Sequence, residues 1–227
     1  MHVDLTRWSP PPAPARAVIA GRYVRLEPLQ AGHAGTLYAA ASASADGADD
    51  RFRWLFEHPP QDRGAFADWV EHASSSADPM FFAVIDAATG RAEGRQALMR
   101  IDRTHGVIEI GSIMWGPALQ RSRMATEALF LFADHVFALG YRRFEWKCND
   151  LNAPSKRAAL RFGFRPEGVF RQHMVVKGTN RDTAWFAMTD QDWQELRPGY
   201  LAWLAPDNFD ADGGQRSTLG ACLRGCA

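Results

Sequence analysis

Cysteine is scarce in this sequence: Cys148, Cys222 and Cys226 are the only three in 227 residues. That number and spacing exclude a disulfide framework, and Cys222 with Cys226 lacks a second ligand pair to complete a zinc site. Long apolar runs are missing as well. No segment approaches the roughly 18 consecutive apolar residues that span a bilayer, and the opening MHVDLTRWSPPPAPAR has no apolar stretch of the export-signal kind. The expectation is a soluble, cytoplasmic protein with no membrane partner. Neither charge is in excess, with 26 basic and 26 acidic residues, so the field of a general nucleic-acid binder is lacking. The seven histidines form no i, i+4 pair of the metallohydrolase kind, and no metal is expected. What remains is a chain 46% hydrophobic, enough for one domain with a sizeable core.

The pattern along the chain divides it into an arm, a domain and an extension. Ser9 to Pro14 (SPPPAP) reads as an extended arm within residues 1–17. Arg22 to Leu29 alternates like a half-buried strand, Ala31 to Ala45 reads as an alanine-rich helix, and Asp62 caps a second helix to Ser75. The period then changes to two. Met80 to Ile85, Gly94 to Ile101 and Val107 to Trp115 form a predicted three-strand meander, joined by DAATG and a turn at Thr104 to Gly106. A helix from Arg123 to a stop at Gly140 precedes a strand at Arg142 to Asn149, an order that implies parallel pairing across a right-handed crossover. A short helix from Pro154 to Phe162 and strands at Gly168 to Lys177 and Asp182 to Met188 complete the domain, residues 18–196. Residues 197–227 form an extension; Asp207 to Ala227, rich in Gly and Asp, reads as a tail with weak or no fold of its own.

The junction LQRSRMATEA, Leu119 to Ala128, follows a strand and opens a long apolar helix with small and basic residues. Unpaired amides of a helix's first turn, the positive end of its dipole and two arginines make an anion site.

GPALQRSRMATEA, then EWKCND, then NAPSKRAALRFGF (Asn152 to Phe164) and EGVFRQHMVVKGTNRDTAWFAM occur in that order. Together they resemble the GCN5-related N-acetyltransferase (GNAT) superfamily, and within it the branch of ribosomal-protein N-terminal acetyltransferases, over roughly Val18 to Trp193. The resemblance implies an α/β (α+β) fold with a mixed, mostly antiparallel, splayed sheet of six to seven strands flanked by helices. It implies acetyl-CoA as co-substrate, its pantetheine arm along the strand edge near Met114 and Trp115 and its pyrophosphate on the amides of Gln120, Arg121, Ser122, Arg123, Met124 and Ala125, with Leu119 and Thr126 also among the cofactor-binding residues. One departure is visible: the family motif has glycine where this chain has Arg123. A helical arginine still presents its N–H, and its guanidinium can pair with phosphate; the alternative is a solvent-facing side chain and a degenerate site. Asn152 matches a residue at the pantetheine or sulfur end, and Ser155 a proposed acid for the departing thiolate. Asn152 equally suits a plain helix cap, with Pro154 at an early position. Lys156 and Arg157 fall near the nucleotide's 3′-phosphate.

The general base is open between Glu109, a carboxylate inside VIEIGSIMW, and His173, whose ordinary pKa suits the task. Each also has a structural reading, and Met174 stands where related enzymes can place a glutamate. Backbone N–H near Met114 or Trp115 would meet the oxyanion. Trp54, Phe52 and Phe56 either stack on an acceptor or belong to the core. The reading is an N-acetyltransferase acting by direct attack in a ternary complex on a primary amine: a protein or peptide N-terminus, an aminoacyl compound or another small molecule. The alternative is a non-catalytic acyl-CoA-binding module. An exposed strand edge or the Pro-rich arm leaves a homodimer open.

Overall fold

The computed structural model describes residues 4–225; Cys226, half of the terminal cysteine pair, lies outside them. Eight strands form a single sheet: β1 (Ile19–Ala20), β2 (Val24–Pro28), β3 (Met80–Asp86), β4 (Ala92–Asp102), β5 (Val107–Trp115), β6 (Arg143–Asn149), β7 (Arg165–Val176) and β8 (Thr179–Thr189). Their order is β1-β2-β3-β4-β5-β6-β8-β7, and among the described residues only β5 and β6 pair in parallel. The expected six or seven strands become eight because the two residues of β1 pair with Leu26 and Arg25 of β2, too short a run to show periodicity.

Helices cover both faces. On one lie α4 (Arg123–Ala138), α5 (Ala153–Arg161) and α6 (Asp190–Leu204), closing a core of Phe82, Ile108, Ile110, Leu129, Phe132, Phe144 and Trp146. On the other lie α1 (Ala34–Ser42), α2 (Ala45–Phe52) and α3 (Arg63–Ser75) over Phe81, Ala83, Ile85 and Met114. The alternation of β3 divides its residues between these cores, as period two requires. One helix was expected over 31–45; it stops at Ser42, because Ser44 turns into the left-handed region (φ 57°), and the Ser44 hydroxyl, accepting from Gly47 N–H, caps a second helix that runs on to Phe52.

The largest departure is at the C-terminus. α6 runs through Pro198 and Gly199, a pair that reads as a helix breaker. A capping box of Thr189 and Asp192 starts it, and burial of Trp193, Tyr200, Trp203 and Leu204 outweighs the proline. Residues after 205 also pack. α7 (Leu219–Arg224) lies so close to α6 that a Cβ on Gly199 would sit 2.7 Å from the Cys222 carbonyl oxygen. Asn208 pins the intervening loop, donating to the Trp203 and Ser217 carbonyls and accepting from Ser217 N–H. The tail expected to be weakly folded over 207–227 is instead anchored at Asn208, Phe209 and Leu219, with residues 210–218 exposed between them. Its apolar anchors are few and widely spaced, so composition hid them.

Candidate active site

The parallel pairing of β5 and β6 spans only Val107–Ile110 against Arg143–Trp146, although the strands continue to Trp115 and Asn149. Beyond Ile110 they splay. The cause lies in β5, where the four residues from Gly111 to Met114 oppose the three from Arg95 to Ala97, and Ser112 takes φ 48°. Such a bulge bends its strand and frees an edge. Arg95, fully buried on β4, holds it from below: Nη1 donates to the Ser112 carbonyl at 2.6 Å, Nη2 to Glu57 at 3.0 Å, and the guanidinium lies 4.4 Å from the Trp69 ring centre.

One end of the splay opens into a cleft of about 810 Å³, inside the range of about 300–1,000 Å³ usual for ligand sites. Of the residues anticipated for the cofactor, Trp115 from the pantetheine edge and Arg121, Ser122, Arg123, Met124 and Ala125 from the anion site line it. Arg121 turns the chain through the left-handed region (φ 57°), and the Ser122 hydroxyl caps α4 by accepting from Ala125 N–H at 3.3 Å. The amides of Gln120 and Ser122 donate to the carbonyls of Gly116 and Leu119. Arg123 and Met124, the first two residues of α4, are thus left to offer amides with no intrahelical acceptor. Arg123 is exposed, with its guanidinium 4.4 Å from the Tyr23 ring centre and 5.3 Å from that of Phe209. Leu119, Gln120, Met114 and Thr126 support the wall. Leu119 and Met114 are core residues, the Gln120 amide donates to the Trp115 carbonyl, and Thr126 accepts from Arg161 at 3.0 Å.

Ser155 and Asn152 stand on the same face. The Asn152 side chain accepts from Ser155 N–H at 3.1 Å, a helix cap, and the Ser155 hydroxyl accepts from the Trp146 indole at 2.9 Å. That bond does not use the hydroxyl's own proton, which is directed to the neighbouring Cys148 thiol. Lys156 pairs with Asp150 at 2.9 Å and does not line the cleft. Burial pushes the Cys148 thiol above its ordinary pKa, against a weaker opposing effect of the Ser155 hydroxyl, so Cys148 is held as the unreactive thiol.

Glu109 and His173 lie on the opposite face. Both Glu109 oxygens receive Arg100 Nη1 at 2.8 Å, and Lys147 Nζ stands at 2.9 Å. Lys147 also pairs with Glu145 at 2.6 Å and sits 3.8 Å above the Trp185 ring centre. Glu109 is thus enclosed by cations where β5 and β6 still pair. His173 occupies a bulge of β7, with Nδ1 3.0 Å from Thr183 Oγ1. Thr183 pairs with Asn149, and Glu145 with Glu109. Four residues of β6 separate these pairs, about 13 Å at strand rise, so the structure brings Glu109 and His173 to one face without making them partners. Phe56, beneath the Arg181 guanidinium, faces the same side, whereas Phe52 is core.

Several cleft residues were not legible as such: Arg22, Tyr23, Arg161, Phe162, Trp203, Phe209 and Gln215. Arg22 and Tyr23 are placed by Glu127 on α4, whose buried carboxylate accepts the amides of Arg22, Tyr23 and Val24 at 2.9, 2.6 and 2.7 Å. The available signal was a glutamate on the apolar face of an otherwise buried helix. Gly21 had a signal too, since a Cβ there would meet the Glu127 carboxyl at 2.7 Å.

The acetyltransferase (GNAT) domain model matches residues 24–165. A GCN5-related N-acetyltransferase from Brucella melitensis is 58% identical, over 97% of this chain and 100% of its own, with a TM-score of 0.94. A probable acetyltransferase of the GNAT family from Chromobacterium violaceum is 38% identical, over 86% and 96% respectively, with a TM-score of 0.78. An acetyl transferase from Salmonella typhimurium that modifies the N-terminal serine of a 50S ribosomal subunit protein shares the fold, with a TM-score of 0.65 at 17% identity over 76% of this chain and 99% of its own. No curated protein matches.

Proposed function

This chain belongs to the GCN5-related N-acetyltransferase family, and on that premise we propose that it transfers acetyl from acetyl-CoA directly to a primary amine, an α-amino group above all. The observation that carries the reading is the continuity of one cleft from Trp115 at the splay, across the first turn of α4, to a wall of unpaired arginines. The residues present fit acetyl-CoA. The amides of Arg123 and Met124, with Arg121 and Arg123 beside them, suit the pyrophosphate, and the edge of β5 past Ile110 suits the amides of the pantetheine arm.

The splay connects the two faces, so donor and acceptor approach from opposite sides. The amine nitrogen forms a bond to the acetyl carbonyl carbon as the carbon–sulfur bond breaks, and the nitrogen's surplus proton leaves to a base or to water. An α-amine of pKa about 7.7–8.0 is partly neutral at pH 7, whereas a lysine at about 10.4 is not; an N-terminal acceptor demands less of the enzyme. Ser155, whose hydroxyl proton is not used in the Trp146 bond, suits the sulfur side as the donor to the thiolate. His173 suits the proton-accepting role better than Glu109, because the Glu109 oxygens are already engaged by Arg100 and Lys147. Backbone N–H groups of the bulged strand near Met114 suit the oxyanion. No covalent enzyme intermediate is involved.

The test is thiol release from acetyl-CoA over a panel of N-terminal peptides, lysine peptides and small amines, with mass spectrometry of the acceptor. Stoichiometric thiol and N-acetyl product, largest for α-amines, is expected. Binding without release across the whole panel would mean a non-catalytic module.

A further inference from the structure

On the face of the sheet that carries Glu109 and His173, one cation is left over. Glu109 is held by Arg100 and Lys147, Glu145 by Lys147 and Arg143, and Glu167 by Arg143. Each carboxylate of the cluster is thus taken. Arg181, on β8 beside them, forms no ion pair among the described residues, although it is only 8% exposed. Burial lowers its pKa, yet a guanidinium keeps its charge at neutral pH, and a buried charge without a counter-ion is costly.

The fold puts this charge at the open side of the splay. β6 and β8 pair residue for residue as far as Asn149 and Thr183, so Arg181 starts beyond the end of β6. Its side chain folds back over Thr183: Nε donates to Thr183 Oγ1 at 3.3 Å, and the guanidinium carbon lies 5.3 Å from the Phe56 ring centre. Nη1 and Nη2 have no hydrogen-bond partner among the described residues, and neither is sealed from solvent. Cys148 and Glu109 stand near enough to bias the charge of Arg181, and Cys148 is also the neighbour of Ser155. The free N–H edge therefore opens between the sulfur side and the face that carries His173.

His173 is tied to the same point. Its Nδ1 lies 3.0 Å from Thr183 Oγ1, so imidazole and guanidinium nitrogens stand no farther apart than those two bonds laid end to end. A hydroxyl oxygen has two lone pairs, so Thr183 can accept from Arg181 Nε and from His173 Nδ1–H together, which leaves His173 Nε2 to take a proton. A carboxylate fits the Arg181 fork in the bidentate manner. A molecule with an amine a few bonds from that carboxylate spans both residues.

We propose, resting on the acetyl-transfer reading, that Arg181 binds a carboxylate of the acceptor. The substrate class is then an amine with a carboxylate close to its nitrogen: a free amino acid through its α-carboxylate, or a peptide whose N-terminal residue is aspartate or glutamate. Thr183 is a positioning residue that holds Arg181 and His173 in register.

Steady-state acetylation of matched acceptors tests this. One set compares free amino acids with their α-amides, the other peptides beginning with Asp or Glu with those beginning with Asn or Gln. In the unaltered protein the carboxylate member of at least one set is expected to have the higher kcat/KM, by about tenfold or more, the worth of a hydrogen bond to a charged group. The set that shows it identifies the source of the carboxylate. Arg181→Gln is expected to remove that advantage through a raised KM, and Arg181→Lys to keep part of it. Calorimetry with CoA, expected to be unchanged in both variants, shows that fold and donor cleft are intact. No advantage of the carboxylate in either set with the unaltered protein overturns the inference and leaves acetyl transfer standing. An advantage that survives undiminished in folded Arg181→Gln does the same. No N-acetyl product from any acceptor overturns both.

Discussion

Replacing Glu127 by glutamine removes one oxygen and the charge from a group that three backbone amides share. In the native protein one oxygen accepts from Arg22 and the other from Tyr23 and Val24. A glutamine can keep the Tyr23 and Val24 bonds only by turning its NH₂ toward Arg22 N–H, donor against donor. One part-buried amide loses its partner and two charge-assisted bonds become neutral. At about 1–3 kcal/mol for an unsatisfied group and about half the strength for each weakened bond, the loss is about 2–4 kcal/mol. At roughly 2–4 °C per kcal/mol for a chain of this size, the melting temperature falls by about 4–16 °C. Because Arg22 and Tyr23 line the cleft proposed for the donor, acetyl-CoA affinity is expected to fall as well. Thermal unfolding and calorimetry check both, with the exposed Glu195→Gln as the control. A melting temperature for Glu127→Gln within about 1 °C of that control would refute the argument that this carboxylate anchors the β1–β2 turn.

Ser155→Ala leaves the Trp146 indole N–H without an acceptor and is expected to lose about 1–3 kcal/mol of stability, with kcat falling while acetyl-CoA affinity is kept; an unchanged kcat removes Ser155 from the chemistry. Arg95→Met strands the Ser112 carbonyl and Glu57 and is expected to lose about 3–5 kcal/mol; denaturant unfolding checks this, and adding Glu57→Gln should recover part of the loss as a coupled pair. His135 has its pKa lowered by burial, against an opposing pull from Asp134. Its folded pKa therefore lies below the unfolded one, and stability is lost as pH falls through the ordinary histidine range near 6.5. His135→Leu should narrow the difference in melting temperature between pH 7.5 and 5.5; an unchanged difference counts against the assignment.

The parts of the site within one local run could be read from the residues. Ser122 before an apolar helix, Asn152 before Pro154, and the strand Val107 to Trp115 carry period and capping signals in their own sequence, and the structure has these elements where those signals put them. The residues that were missed depend on long-range contacts. Glu127 meets Arg22 more than 100 positions away, and Trp203 and Phe209 reach the cleft only because α6 continues through Pro198. No periodicity announces a helix whose interior proline is outweighed by tertiary burial. Glu109 illustrates the converse: the strand position was legible, but Arg100 and Lys147 on either side came from a bulge and a neighbouring strand.

Thermal unfolding with and without acetyl-CoA tests the central claim most directly, that the cleft between the splay and α4 is a donor site. At a hundredfold excess of acetyl-CoA over its dissociation constant, stability should rise by about 2.7 kcal/mol, and CoA should act in the same direction. A melting temperature unmoved by either ligand would contradict the account.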